Sequence, residues 1–230
     1  VQPTVASTGG DADALVPTLV NALATLDGPL IIVVDDHHLI DNPRVHAGVE
    51  RLVELCPDHV TFVLVTRSDP PFRLGRLRVR QQITEVRAAD LRFDAREAGE
   101  LLDTVDAALA DRMCERTEGW AAGLVLAGIS LASSPDPAAF VERFGGDDTL
   151  VVDYLTDELL GTLDSGERQR LLETSVLERL NGPLVDAVCG TSDGATWLRQ
   201  LAAHNQLVIG LDHTATWFRY HHLLRDVLRL

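Results

Sequence analysis

The 230-residue sequence contains no lysine: all twenty of its basic residues are arginine. That absence removes several kinds of chemistry. A phosphate-binding loop of the GxxxxGK[ST] type needs a lysine to reach the β- and γ-phosphates of a nucleotide, so these residues hold no such loop. Schiff-base catalysis and a lysine general base are excluded for the same reason. Cysteine is scarce as well. Cys56, Cys114 and Cys189 stand far apart without CxxC spacing, which predicts reduced, buried thiols in a cytoplasmic protein. Long apolar runs are missing too. The longest, Leu30 to Val34, falls far below the ~20 residues of a membrane span, and no signal-like segment precedes it. No GxSxG, HExxH or convincing nucleophile–base spacing is present.

What is present is acid. The formal net charge is −15, which argues against direct DNA binding by these residues, because phosphate contacts need a positive face. The excess is greatest in residues 94–150, with twelve acids against four arginines; a soluble surface is its simplest reading.

Read along the chain, residues 1–10 lack periodicity and form a loose tail. Leu15, Leu19, Leu23 and Leu26 recur at helical spacing until Gly28-Pro29. LIIVVDD and VTFVLV are β-branched runs suited to parallel strands buried on both faces. The Asn42–Leu55 stretch between them reads as a helix, so the three segments make a βαβ unit. LGRLRVRQQ predicts a short basic helix and ITEVR a third short strand. After residue 93 the pattern turns helical, with stretches near 94–102, 106–116, 118–132, 137–144 and 147–161. Three further helical segments, at 165–174, 182–189 and 193–204, lead into QLVIGL, the turn-like DHTAT and WFRYH. Three helices followed by a short hairpin spell a winged helix. The expected fold is therefore α/β: part of a parallel sheet in residues 1–93, a helical subdomain in 94–150 and a winged helix in 151–230.

Four residues carry candidate chemistry. Asp35 and Asp36 end an apolar strand, where ligands bind in open α/β sheets. Asp35 can hold Mg²⁺, directly or through water, and Asp36 can orient a water for attack on a γ-phosphate. A strand-end turn with a capping aspartate is the plain alternative. Arg67, after the next strand, can sense a γ-phosphate or be a surface arginine. His221, at the start of the last helix, reads by itself as a capping or core histidine. His37-His38 beside the aspartates is a poor zinc site, because neighbouring strand-end side chains diverge.

Four segments, PLIIVVDDHHLID, VLVTRSDPPFRLGRLRVRQQITEVRAADLRF, TEGWAAGLVLAGISL and WFRYHHLLRDVL, resemble the ATPase module of the large ATP-binding LuxR-type transcription regulators. These regulators belong to the STAND class of signalling ATPases, and NB-ARC proteins are more distant members. The resemblance covers roughly residues 15–230 and implies a P-loop NTPase sheet. It makes Asp35 and Asp36 the Walker B acids and Arg67 a sensor arginine. It aligns TEGWAAGL with a helix start whose proline packs on adenine, although this chain has Ala121 there. It matches RYHHLLRD to a winged-helix motif whose histidine, here His221, meets the β-phosphate of ADP.

The family's lysine-bearing loop lies upstream of the residues that match, so the chain is expected to be a fragment of a longer protein, with a degenerate relative as the alternative, catalytically incomplete and holding no nucleotide by itself. ATP, ADP and Mg²⁺ are then cofactors of the parent. The function implied is a switch in which ADP holds an off state and ATP with a small-molecule or protein inducer drives multimerisation. An interaction scaffold with no nucleotide role is the alternative, and a hydrolase using Asp35 and Asp36 a weak third. A sheet lacking its central strand would leave an apolar edge, to be covered by residues 1–10 or by self-association. Other domains of the parent are the remaining expected partners, and no membrane is among them.

Overall fold

The computed structural model describes residues 12–103, 106–204 and 207–230. The backbone divides into two compact units, one ending at Thr84 and one running from Glu85 to Leu230. The expected tail, residues 1–10, lies outside the described residues.

In the first unit, helix α1 (Ala12–Ala24) ends ahead of Gly28, whose φ of 83° is the left-handed backbone that glycine adopts without a steric penalty. Strand β1 (Leu30–Val34) follows. Asn42 then caps helix α2 (Pro43–Leu55): its side chain accepts the Arg44 N–H, and proline fills the first turn, where a missing N–H costs nothing. Strand β2 (Val60–Leu64) pairs parallel to β1, with Leu30 opposite Val60 and Val34 opposite Leu64. The expected strand–helix–strand unit is therefore present, and α1 packs against α2.

Two expectations fail here. The strands are not covered on both faces: Leu30, Ile32 and Val34 are half-buried, but Ile31 is 65% and Val33 61% exposed. Nor does ITEVR join the sheet, which has two strands among the described residues. Local bonds win instead. The Arg87 N–H donates to Asp90 Oδ2 at 2.8 Å and the Asp90 N–H returns to the Arg87 carbonyl at 2.9 Å, so the last residue of the expected strand closes a turn with its own backbone groups. The basic helix does form, as α3 (Leu74–Val79).

In the second unit, helices α4 (Ala95–Leu101) and α9 (Ser165–Thr174) open with reciprocal capping boxes, Asp94 with Glu97 and Asp164 with Glu167. Asp106, Asp136, Asp148 and Asn181 cap α5 (Ala107–Thr117), α7 (Pro137–Arg143), α8 (Thr149–Glu158) and α10 (Gly182–Cys189) more simply, each side chain accepting one backbone N–H of the first turn. A good part of the acidic excess in residues 94–150 is thus spent on helix starts. Helix α6 (Ala121–Ala132) begins three residues later than the periodicity predicts, because Glu118 (φ 49°) and Gly119 (φ 68°) both leave the helical region and end α5.

Helix α11 (Gly194–His204) leads into strand β3 (Val208–Gly210), which pairs antiparallel with β4 (Phe218–Tyr220). Asp212 closes the hairpin loop by accepting the Thr216 and Trp217 N–H groups, and α12 (His222–Leu228) ends the chain. Helices α9 to α11 with the β3–β4 hairpin make the winged helix. One apolar cluster runs from Ala98, Met113 and Leu124 through Leu155 to Leu171, Leu198 and Leu224, so the helices before residue 150 and the winged helix share a core. Most of the chain is helical, and no helix among the described residues is long and apolar enough to cross a membrane.

Candidate functional site

The parallel pairing of β1 and β2 sets their carboxyl ends side by side. The Val65 N–H donates to Val34 O at 2.9 Å, and the His37 N–H donates to Val65 O at 3.1 Å. Asp35 and Asp36 therefore leave β1 beside Thr66-Arg67-Ser68, which leaves β2. Asp36 takes left-handed backbone (φ 51°) and its N–H donates to Asp35 Oδ1 at 2.9 Å. Its side chain is 64% exposed. Arg67 is also exposed. The first unit thus presents the three residues predicted on it at one end of its sheet, open to solvent.

His37 turns the other way. It is buried, with its ring centroid 5.0 Å from that of His46 and 5.4 Å from that of Phe72, and burial together with the neighbouring imidazoles lowers its pKa. It is a packing histidine. The DPPFRLGRLR stretch lies along α2: Arg73 donates through its backbone and Nε to Glu50 Oε1 at 2.8 and 3.1 Å, and Arg76 reaches Glu54 at 3.1 Å.

The second unit gathers its polar groups around Glu118 and His221. His221 caps α12 and is buried. Its Nε2–H donates to the Thr117 carbonyl at 2.9 Å, while Nδ1 accepts the Leu223 N–H at 3.3 Å. Both contacts are met by one neutral tautomer. Burial lowers the His221 pKa to about 4, against the opposing charge of Glu118. Both plain readings of this histidine, cap and core, are therefore correct.

Glu118 is held more tightly still. Arg219 grips it with both guanidinium nitrogens, Nη1 to Oε1 at 2.8 Å and Nη2 to Oε2 at 2.5 Å. His222 Nδ1–H donates to Oε1 at 3.0 Å. Arg92 Nη1 donates to the Glu118 carbonyl at 2.9 Å and stands 3.4 Å from Oε2. Burial alone would raise the Glu118 pKa, but the bonds from His222 and Arg219 outweigh it and hold the carboxyl far below its ordinary range. The group stays ionised.

Beside this cluster lies a cavity of about 260 Å³. Leu91, Trp120, Ala121 and Leu207 give it apolar walls, and Arg92 and His221 supply its polar groups. Trp120 meets Tyr154 and His221 edge-on, at 5.7 and 5.9 Å between ring centroids. Glu118, His221 and His222 offer ligand atoms within 4.8 Å of one another. A cation fits badly there, because the Glu118 oxygens already face Arg219 and Arg92.

The cysteines are free and half-buried, and burial raises each thiol. Sequence reasoning missed Glu118. Its one local signal is an acid directly before Gly119 at a helix end; its partners lie 26 to 104 residues away.

Comparison with known families matches residues 156–230 to the MalT winged helix domain. The chain is 32% identical over 216 residues to the HTH-type transcriptional regulator MalT of Cronobacter sakazakii, covering 90% of this chain and 24% of that protein. MalT of Klebsiella pneumoniae is 32% identical over 214 residues, with the same coverage. MalT of Yersinia enterocolitica is 32% identical over 224 residues, covering 94% of this chain and 25% of that protein. The chain thus spans about a quarter of the length of the regulators it matches, and is similar to a segment of them that includes their winged helix.

Proposed function

We propose that the chain is a nucleotide-responsive regulatory segment of a LuxR-type transcription regulator. Similarity to MalT over 90% of the chain supports the regulatory role. The observation that carries the nucleotide part is the cavity in the second unit. Family resemblance picks out Ala121, at the position of the adenine-packing proline, and His221, the β-phosphate contact, and these residues line one cavity. Its apolar walls suit a base, and Arg92 and His221 suit phosphate oxygens. In this reading Asp35 would hold Mg²⁺, Asp36 would orient water and Arg67 would sense the γ-phosphate, within a P-loop sheet of the STAND class. A longer protein would supply the GK[ST] loop. ADP would favour the off state, and ATP with an inducer would favour a multimerising state in the cytoplasm, a two-state equilibrium biased by differential affinity.

One observation favours the scaffold alternative: both ring nitrogens of His221 are already satisfied within the protein. Calorimetry with ADP and Mg²⁺ separates the two readings. The switch requires ADP to bind a version extended upstream through a GK[ST] loop, and His221→Ala to weaken that binding. Absence of ADP binding by the extended version would leave the scaffold.

A further inference from the structure

We propose that Glu118 is an internal stand-in for a phosphate group: its carboxylate fills an anion-recognition cluster made by Arg92, Arg219 and His222, and a phosphate or diphosphate entering the adjacent cavity competes with it. The proposal deepens the nucleotide reading and rests on it only for the source of the phosphate.

Three segments converge on this one carboxylate: Arg92 ahead of α4, Arg219 on β4 and His222 at the start of α12. Two guanidinium groups carry more positive charge than a single carboxylate neutralises. The flat fork of Arg219 can donate to two phosphate oxygens as it does to two carboxylate oxygens, and a phosphate carries more negative charge. Gly119, next to Glu118, lines the cavity together with Arg92 and His221. An anion in that cavity is therefore within one residue of the cluster.

The turn that delivers Glu118 is unusual. A residue with a β-carbon at φ 49° is followed by a glycine at φ 68°, and left-handed backbone is disfavoured for any side chain but glycine. The bonds to Arg219, His222 and Arg92 hold it there. If an anion takes those donors, the Glu118 carboxylate is released from them.

The test uses the whole chain and inorganic pyrophosphate as probe, at constant ionic strength. Glu118→Gln removes the competing charge and keeps the shape. Calorimetry is expected to show pyrophosphate binding at least about tenfold tighter to E118Q than to the unmodified chain, with a matching rise in Tm. The gain should vanish in E118Q/R219A. A folded E118Q that binds pyrophosphate no better than the unmodified chain overturns the proposal. Glu118→Asp, whose shorter arm cannot serve Arg219 and His222 together, covers the case in which E118Q does not fold. Its expected gain is smaller, and no gain overturns the proposal as well. Tighter pyrophosphate binding by E118Q with no ADP binding by the extended version would sink the nucleotide reading alone. The reverse pattern would sink this inference alone.

Discussion

His221 and Thr117, 104 residues apart, are joined by a 2.9 Å hydrogen bond from the histidine ring to a backbone carbonyl. It ties the first turn of α12 to the last turn of α5. Because Thr117 is buried, water cannot readily replace the ring, and the bond makes the protonation state of His221 a stability question.

The first prediction concerns pH. His221 is held at about 4 against an ordinary 6.5, so the folded chain keeps it neutral while the unfolded chain takes up a proton. The stability this provides is complete above pH 6.5 and is lost as pH falls from there toward 4. The loss amounts to about 3 kcal/mol at ~1.4 kcal/mol per pKa unit. Urea unfolding between pH 7.5 and 4.5 should show a steeper decline for the unmodified chain than for His221→Gln, which keeps a donor and cannot titrate. His37, also lowered, acts in the same direction in both proteins and cancels in the comparison.

Gly119 is a second point of sensitivity. A β-carbon there would lie 2.4 Å from the Phe93 carbonyl oxygen, on backbone at φ 68°. Gly119→Ala should lower stability by about 3 kcal/mol. Gly190→Ala, at the same φ but with open space around it, should cost only about 1 kcal/mol. Parallel denaturation curves of the two variants separate the steric clash at residue 119 from the backbone strain that both positions share.

Within the winged helix, the Tyr220 hydroxyl and the Thr174 hydroxyl lie 2.6 Å apart in a buried site. Thr174 also donates locally to the Arg170 carbonyl at 2.6 Å, so Tyr220 acts as the donor between them. Tyr220→Phe should cost about 1 kcal/mol, and Thr174→Val should cost no less, since it strands the tyrosine hydroxyl. A double-mutant cycle should return a coupling of about 0.5–1.5 kcal/mol.

Asp36 gives the opposite expectation. It is exposed, and its contacts with Asp35 and His38 are local ones at the strand end. Asp36→Asn should leave stability within about 0.5 kcal/mol. In an upstream-extended protein it should nevertheless reduce ATP turnover by tenfold or more, about 1.4 kcal/mol of barrier. Unchanged turnover would remove Asp36 from the chemistry.

Local patterns made much of this structure legible. The β-branched runs at Leu30–Val34 and Val60–Leu64 became the paired strands, and the aspartates and asparagines ahead of helical stretches became caps. Reading failed where a local bond competed with a distant one. Residues 83–87 read as a strand, yet Arg87 at their end gives both backbone groups to a turn with Asp90. The expected double cover of β1 failed because a β-branched run states what a strand could bury, while Ile31 and Val33 stay exposed. Glu118 was hidden for another reason. Its meaning lies in Arg219 and His222, a hundred residues downstream, and one helix end carries no trace of them.

The shared core of the second unit has a bearing on how such a segment can be passed between proteins. Leu155, Leu171 and Leu224 belong to the same apolar cluster as Met113 and Leu124, so separating the winged helix from the preceding helices would expose core residues on both pieces. Heredity is therefore expected to carry the α4–α8 helices and the winged helix together, as one indivisible cassette.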